Sequence, residues 1–250
     1  MKANAGTLRH IPQSPAELAP FIDHTLLKAN ATLDMIENLC REALTYGFYA
    51  VCVNGAHVAA ASRILKGVNS ALGSPVQIAA VVGFPLGAMT SEAKAFEAVQ
   101  AVANGATEID MVMRIDFAKS ARWEELRDDI STVVRSVESK AIVKVILETG
   151  LLSLEEIAAS ARWADLGGAH FVKTCTGFST AGGSAGSATV GHVALMRESV
   201  RSLVQVKASG GIRDLHGACA LIEAGATRLG TSSGVLLVSN SPQETAPSGY

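Results

Sequence analysis

Eight apolar, β-branched runs recur along this chain, and stretches rich in Ala, Leu and Glu lie between them. Strands that alternate with helices pair in parallel, so this rhythm leaves a parallel sheet as the framework. The runs are Phe21–Leu27, Ala50–Asn54, Gln77–Gly83, Glu108–Met113, Ala141–Glu148, His170–Cys175, Val204–Ser209 and Arg228–Thr231. Eight βα units in 250 residues fit a single α/β domain, a closed (β/α)8 barrel, better than an open doubly wound sheet. An open nucleotide-binding sheet would be expected to show a G-x-G-x-x-G turn near the first strand, and the stretch after Phe21 has none. The barrel is expected over residues 21–238, with an N-terminal extension over 1–20 and a polar, mobile C-terminal tail over 239–250.

The helix ends carry their own signals. Ser153 and Glu156 form a capping box, after which Ile157, Ala161 and Ala164 fall on one face until Gly167 stops the helix. Three Gly-Ala pairs, Gly105-Ala106, Gly168-Ala169 and Gly225-Ala226, lead directly into strands, and a glycine there supplies the left-handed residue that ends a helix. These glycines are assigned no chemistry.

Charge narrows the partners. A formal net charge of -2 with no Lys/Arg run argues against nucleic acid or an anionic membrane, either of which needs a clustered basic face. A small metabolite suits the chain better. Cys40, Cys52, Cys175 and Cys219 are scattered and hold no C-x-x-C pair, which points to neither a zinc site nor a disulfide framework. With no apolar segment of signal-peptide or membrane-spanning length, cytoplasmic residence is the expectation.

The charges inside the strands are the informative ones. Alternate residues of a barrel strand pack under the helices or fill the interior, so a charge in mid-strand points inward. Lys144, Lys173 and Lys207 each lie in one of three successive strands, Asp110 lies in the strand before them, and Asp23 lies in the first. A single Lys–Asp pair would read as a buried ion pair that fixes register. Three inward lysines on neighbouring strands are too costly to be retained for that alone.

Such a surplus has a chemical use. An amine attacks a carbonyl only when uncharged, and a free lysine, with its pKa of about 10.4, is protonated at neutral pH. Bringing that value near 7 takes roughly 4 kcal/mol of bias, which a desolvated pocket and a neighbouring ammonium can supply. Lys173 and Lys207 have this arrangement, although spacing alone does not say which is the nucleophile. Asp110 would act with a water as the proton shuttle. Cys175, on the parity of Lys173, is read as packing or pocket wall.

Two small-residue turns suit a phosphate: Ser209-Gly-Gly-Ile-Arg213 after the seventh strand and Gly230-Thr-Ser-Ser-Gly234 after the eighth. Bare N–H groups and hydroxyls bind phosphate well, and the loops after strands seven and eight of such barrels often hold one. A third turn after Lys173 runs into the Gly- and Ser-rich stretch Ala181–Ser187, either a linker or a lid over the mouth.

With these residues in view, the chain resembles the deoxyribose-phosphate aldolases. The matching segments are Phe21-Ile-Asp-His-Thr-Leu-Leu27, Ala50-Val-Cys-Val-Asn54, Val82-Gly-Phe-Pro-Leu-Gly87, Glu108-Ile-Asp-Met-Val112 and Lys144-Val-Ile-Leu-Glu-Thr149. They continue through Phe171-Val-Lys-Thr-Cys-Thr-Gly-Phe-Ser179, Val206-Lys-Ala-Ser-Gly-Gly-Ile212 and Leu229-Gly-Thr-Ser-Ser233. The resemblance implies a class I lyase that reversibly cleaves 2-deoxyribose 5-phosphate to acetaldehyde and glyceraldehyde 3-phosphate, without metal or organic cofactor. It implies Lys173 as the Schiff-base lysine, Lys207 as its electrostatic partner and Asp110 as the proton-relay carboxylate, with phosphate on Gly210, Gly211, Ser232 and Ser233 and Gly177 nearby. Asp23, Thr25, Cys52, Lys144 and Thr176 are accessory candidates within the matching segments. So is Tyr250, because some members end in a tyrosine that folds over the site. A homodimer is the expected assembly, since dimers are common among related barrels. The chain departs from the family in having Cys175 where a serine is usual after Lys-Thr, and in a longer connection over Ser179–Thr189.

Other functions predict other residues. A metal-dependent aldolase needs clustered ligands, whereas His10, His24, His57, His170, His192 and His216 are dispersed. A phosphosugar isomerase would share the phosphate turns but has little use for two adjacent inward lysines. A non-catalytic phosphometabolite-binding barrel would be expected to have lost Lys173 or Asp110.

Overall fold

The computed structural model describes residues 11–178 and 186–239. Its strands are β1 (Ile22–Leu26), β2 (Ala50–Asn54), β3 (Gln77–Val82), β4 (Glu108–Val112), β5 (Ile142–Ile146), β6 (Phe171–Lys173), β7 (Gln205–Ser209) and β8 (Arg228–Thr231). They pair in parallel and in chain order, and β8 pairs with β1 to close the barrel. The helices are α1 (Pro15–Leu18), α2 (Leu33–Tyr46), α3 (Val58–Leu65), α4 (Ser91–Ala103), α5 (Ile115–Lys119), α6 (Trp123–Ser136), α7 (Leu154–Leu166), α8 (Val190–Ser199), α9 (Leu215–Glu223) and α10 (Gly234–Val238).

Local chemistry sets these boundaries. Thr32, Thr90, Ser153, Thr189 and Asp214 each cap a helix by accepting a backbone N–H of its first turn, a contact worth about 1 kcal/mol. Ser153 and Glu156 do form the reciprocal capping box. Gly105, Gly168 and Gly225 adopt φ of +110°, +89° and +126°, the left-handed conformation expected at the three Gly-Ala junctions.

One set of alternate strand residues, such as Val51, Val53, Ile109, Met111, Val143, Val145, Val206 and Leu229, packs under the helices in the main apolar core. Leu18 and Ala19, within the segment expected as an extension, are buried in that core. A further buried lysine, Lys94 on α4, pairs with Asp129 on α6 at 2.8 Å, outside the barrel wall. Ser91 donates to the same carboxylate, so this ion pair pins α4 to α6. Among the described residues no helix is long and apolar enough to cross a membrane.

Two strands are shorter than their sequence pattern suggests. β5 ends at Ile146 and β6 at Lys173, because Glu148 turns into the left-handed region (φ +57°) and the chain beyond each strand bends toward its neighbour. Thr149 N–H donates to Thr174 O and Thr174 N–H to Lys207 O, extending the zipper past the strands.

Candidate active site

The barrel interior has two unlike halves. On one side Leu27, Cys52, Ala79 and Val81 form a small apolar cluster, roofed by Phe84 and Phe178. Those two rings meet edge to face at 5.3 Å between centroids. On the other side the inward residues are charged, and strand register sets Asp110 beside Lys144 and Lys173 beside Lys207.

Six of these charged groups form a closed ring of alternating sign. Lys144 Nζ binds Asp110 Oδ1 at 2.6 Å, and Asp110 Oδ2 accepts from Lys207 at 2.8 Å. Lys207 also binds Asp23, whose other oxygen takes Arg228 Nη1 at 2.9 Å. Arg228 lies 3.4 Å from Glu108, and Glu108 returns to Lys144 at 2.5 Å. Three cations therefore face three carboxylates. Lys173 is the seventh group, attached at one vertex: its Nζ binds Asp110 Oδ2 at 2.8 Å. Because Lys207 holds the same oxygen at the same distance, the two amines are no further apart than twice that length.

Burial penalises the charges of Asp23, Asp110, Lys144, Lys207 and Arg228, yet their partners outweigh it. Asp110 is held well below the ordinary carboxylate range, burial being opposed by Lys144, Lys173 and Lys207. Asp23 is lowered too, with Lys207, Arg228 and Lys144 overcoming its desolvation. Lys144 and Lys207 are raised above the usual lysine value against the same penalty, Lys144 by Asp110 and Glu108, Lys207 by Asp110 and Asp23. Arg228 is likewise raised and rests on the Tyr49 ring, 3.4 Å from its centroid. Asp23, Asp110, Lys144, Lys207 and Arg228 are thus each favoured in the charged form. Lys173 sits at the C-terminal end of β6, the end at which barrel enzymes place their chemistry.

The turns above this cluster are braced. Buried Glu148 accepts from Thr176 N–H at 3.2 Å and from the Thr176 hydroxyl, which in turn accepts from Phe178 N–H at 3.0 Å. Gly177 follows with φ +84°. Gly210 and Gly211 have φ +95° and +71°, and a Cβ on Gly210 would stand 2.0 Å from Gly186 O, so the returning chain packs directly on this turn. Ser209 pairs in register with Gly230, so the two phosphate turns leave adjacent strands at one level. Ser232 is exposed and Ser233 donates its N–H to Thr231 Oγ1 at 3.0 Å. Gly230 is bare for a visible reason: a Cβ there would lie 3.0 Å from Lys207 Cε.

Similarity to known proteins agrees with this geometry. Residues 18–241 match the model of the DeoC/LacD family aldolases. The chain belongs to the DeoC/LacD aldolase family. It is 53% identical to the deoxyribose-phosphate aldolase of Alkaliphilus oremlandii, over 92% of this chain and 98% of that one. It is 50% identical to the Clostridium kluyveri protein of the same name, over 89% and 97%. The tetrameric deoxyribose phosphate aldolase from Aeropyrum pernix superimposes with a TM-score of 0.80 at 33% identity, covering 91% of this chain and 92% of that one.

In this DeoC/LacD aldolase the structure brings Lys173, Lys207, Asp110, Asp23 and Lys144 into one cluster, and Cys52 faces it from the apolar side, its thiol pushed up by burial. Thr176 lies on the Glu148 brace. Thr25 is buried with its hydroxyl donated to Asp23 O at 2.9 Å, and it lines a separate cavity of about 460 Å³ between β1, α2 and α10, shared with His24, Glu42, Ser232 and Ser233. Cys175 lies past the end of β6, so strand parity does not govern it; it is buried with Sγ 3.3 Å from Thr149 Oγ1. Tyr250 and residues 179–185 lie outside the described residues, as does the tail from residue 240.

Sequence reasoning passed over Glu108, Arg228 and Glu148. Glu108 and Asp110 are two apart in β4 and so share a face, which is a signal for the first. Arg228 shares the parity of Gly230 at the start of β8, a weaker signal. Glu148 has none, because its role depends on a turn that strand alternation does not describe.

Proposed function

We propose that this aldolase reversibly cleaves 2-deoxy-D-ribose 5-phosphate to acetaldehyde and D-glyceraldehyde 3-phosphate through a Schiff base on Lys173. One observation carries the assignment of the nucleophile: Lys173 is the odd cation beside a charge-balanced ring. An amine must lose its proton before it adds to a carbonyl. Discharging Lys144, Lys207 or Arg228 would take a charge from at least two buried carboxylates at once, whereas Lys173 pairs with Asp110 alone, and Asp110 keeps Lys144 and Lys207.

The neutral Lys173 Nζ adds to the C1 aldehyde of the open-chain sugar, and the carbinolamine loses water to give the iminium. A water held by Asp110 takes the C3 hydroxyl proton as the C2–C3 bond breaks, and its electron pair flows to C2 as an enamine. Glyceraldehyde 3-phosphate departs, the same water returns a proton to C2, and hydrolysis of the imine frees acetaldehyde and Lys173. Lys207 stays cationic beside the imine through the cycle. The apolar wall of Leu27, Cys52, Ala79 and Val81 offers C2 no polar partner, in keeping with a carbon that bears no hydroxyl. The phosphate is assigned to the N–H groups of Gly210 and Gly211 and to Ser232 and Ser233, with Gly177 alongside.

The enzyme is assigned to the cytoplasm, where buried free thiols such as Cys40, Cys52 and Cys175 stay reduced. A homodimer is the proposed assembly, and Phe96 and Val99, three apart and exposed on α4, offer an apolar face for it.

Turnover of 2-deoxyribose 5-phosphate, followed as acetaldehyde release, is expected to persist in EDTA and to fall by at least about 10⁴-fold in Lys173→Ala. Full activity in that variant, or loss in EDTA with rescue by zinc, would reject the reading.

A further inference from the structure

Among the described residues no ion pair joins Glu108 or Arg228 to Lys173, yet the two close the ring beside it. Arg228 bridges Asp23 and Glu108, and Glu108 bridges Arg228 and Lys144. Without this link Asp23 and Lys144 would face each other only across their direct contact of 3.7 Å.

We propose that Glu108 and Arg228 are positioning residues that act through the ring to set the pH at which Lys173 gives up its proton. The inference rests on the Schiff-base reading above. It follows from the sign and connectivity of the groups that face Lys173. From β4 come Asp110 and Glu108, from β5 Lys144 and, beyond its end, Glu148; β7 supplies Lys207, β8 Arg228 and β1 Asp23. The thiols of Cys52 on β2 and Cys175 beyond β6 complete the set, and burial raises both, which keeps them uncharged. Glu148 is held to Thr176 and burial raises its carboxyl as well. Changing one member of the ring therefore changes the net charge that the Lys173 proton experiences, with little room for solvent screening in a fully buried cluster.

The signs differ between the two residues. Glu108→Gln removes a negative charge, leaves the ring positive and makes an ammonium at Lys173 less favourable. Arg228→Gln removes a positive charge and does the reverse. The rate of imine formation with acetaldehyde, trapped by borohydride over a range of pH, should keep its midpoint on Arg228→Lys, fall by about one pH unit in Glu108→Gln, and rise by about one in Arg228→Gln. A unit charge at roughly 10 Å in an effective dielectric of about 20 gives a shift of that size. The double variant Glu108→Gln/Arg228→Gln restores balance and should return the midpoint to that of the unaltered enzyme. Glu108→Gln keeps shape and an accepting oxygen toward Lys144, so it remains decisive should Arg228→Gln fail to fold.

Midpoints within about 0.2 pH unit of one another, in folded variants that still trap acetaldehyde at Lys173, would overturn the proposal and assign the pair to structure alone. Shifts of the same sign in both single variants would overturn it too. Absence of a trapped adduct in the unaltered enzyme would instead sink the Schiff-base reading, so the two failures are distinguishable.

Discussion

Asp110 accepts from three ammonium groups with two oxygens, and that single fact ties its stability role to its chemical one. Asp110→Asn would leave Lys144, Lys173 and Lys207 facing one another around a neutral amide. Breaking a buried charge cluster in this way is expected to destabilise the fold by about 3–5 kcal/mol, and loss of the proton shuttle to lower kcat by at least about 10²-fold. Urea unfolding and steady-state kinetics on the same preparation check both; a stable, active variant would remove Asp110 from the mechanism. The mid-strand charges Lys144, Lys173, Lys207 and Asp110 were legible in the sequence because an ion inside a barrel strand has only one place to go. Glu108 and Arg228 each open a strand, where a charge reads as solvent-facing, although Glu108 shares the parity of Asp110.

All eight strands lie where the apolar runs placed them, since a parallel strand buried on both faces needs a continuous β-branched run and little else. The exits of β5 and β6 were misjudged. Leu147 and Thr174–Cys175 continue the apolar or β-branched pattern, but tertiary hydrogen bonds win: the Thr174 hydroxyl donates to Ser209 O at 2.9 Å, and Ser209 donates its own hydroxyl to Cys175 O at 2.6 Å. Side chains from a strand distant in sequence thus bend the segment that follows Lys173. A left-handed, non-glycine Glu148 costs on the order of 1 kcal/mol, a strain the Thr176 contacts offset. The strand–turn unit that carries Lys173 is accordingly held from both sides, by β5 through Glu148 and by β7 through Ser209.

Across the whole molecule the ring makes stability depend on pH in a definable way. Asp23 and Asp110 lie below their ordinary value of 3.8, so their contribution is complete above that pH and is lost as pH falls through their folded values. Lys144 and Lys207 lie above the ordinary 10.5, so theirs is complete below that pH and is lost as pH rises through the folded values. The contribution of these four groups should be flat between about pH 4 and 10, with loss outside that range, when unfolding free energy is measured in urea at successive pH values. A steep change centred near pH 7 that tracks the ring would contradict this. Closure of the barrel makes such a cluster feasible, because inward groups from β1, β4, β5, β7 and β8 meet only when the last strand returns to the first.

The central claim is that the leftover cation is the nucleophile, and locating the trapped amine tests it most directly. The enzyme would be treated with acetaldehyde and borohydride, digested, and its lysine-containing peptides weighed. The account predicts an ethyl group on Lys173 and none on Lys144 or Lys207; label on either of those two, or on no lysine, would contradict it.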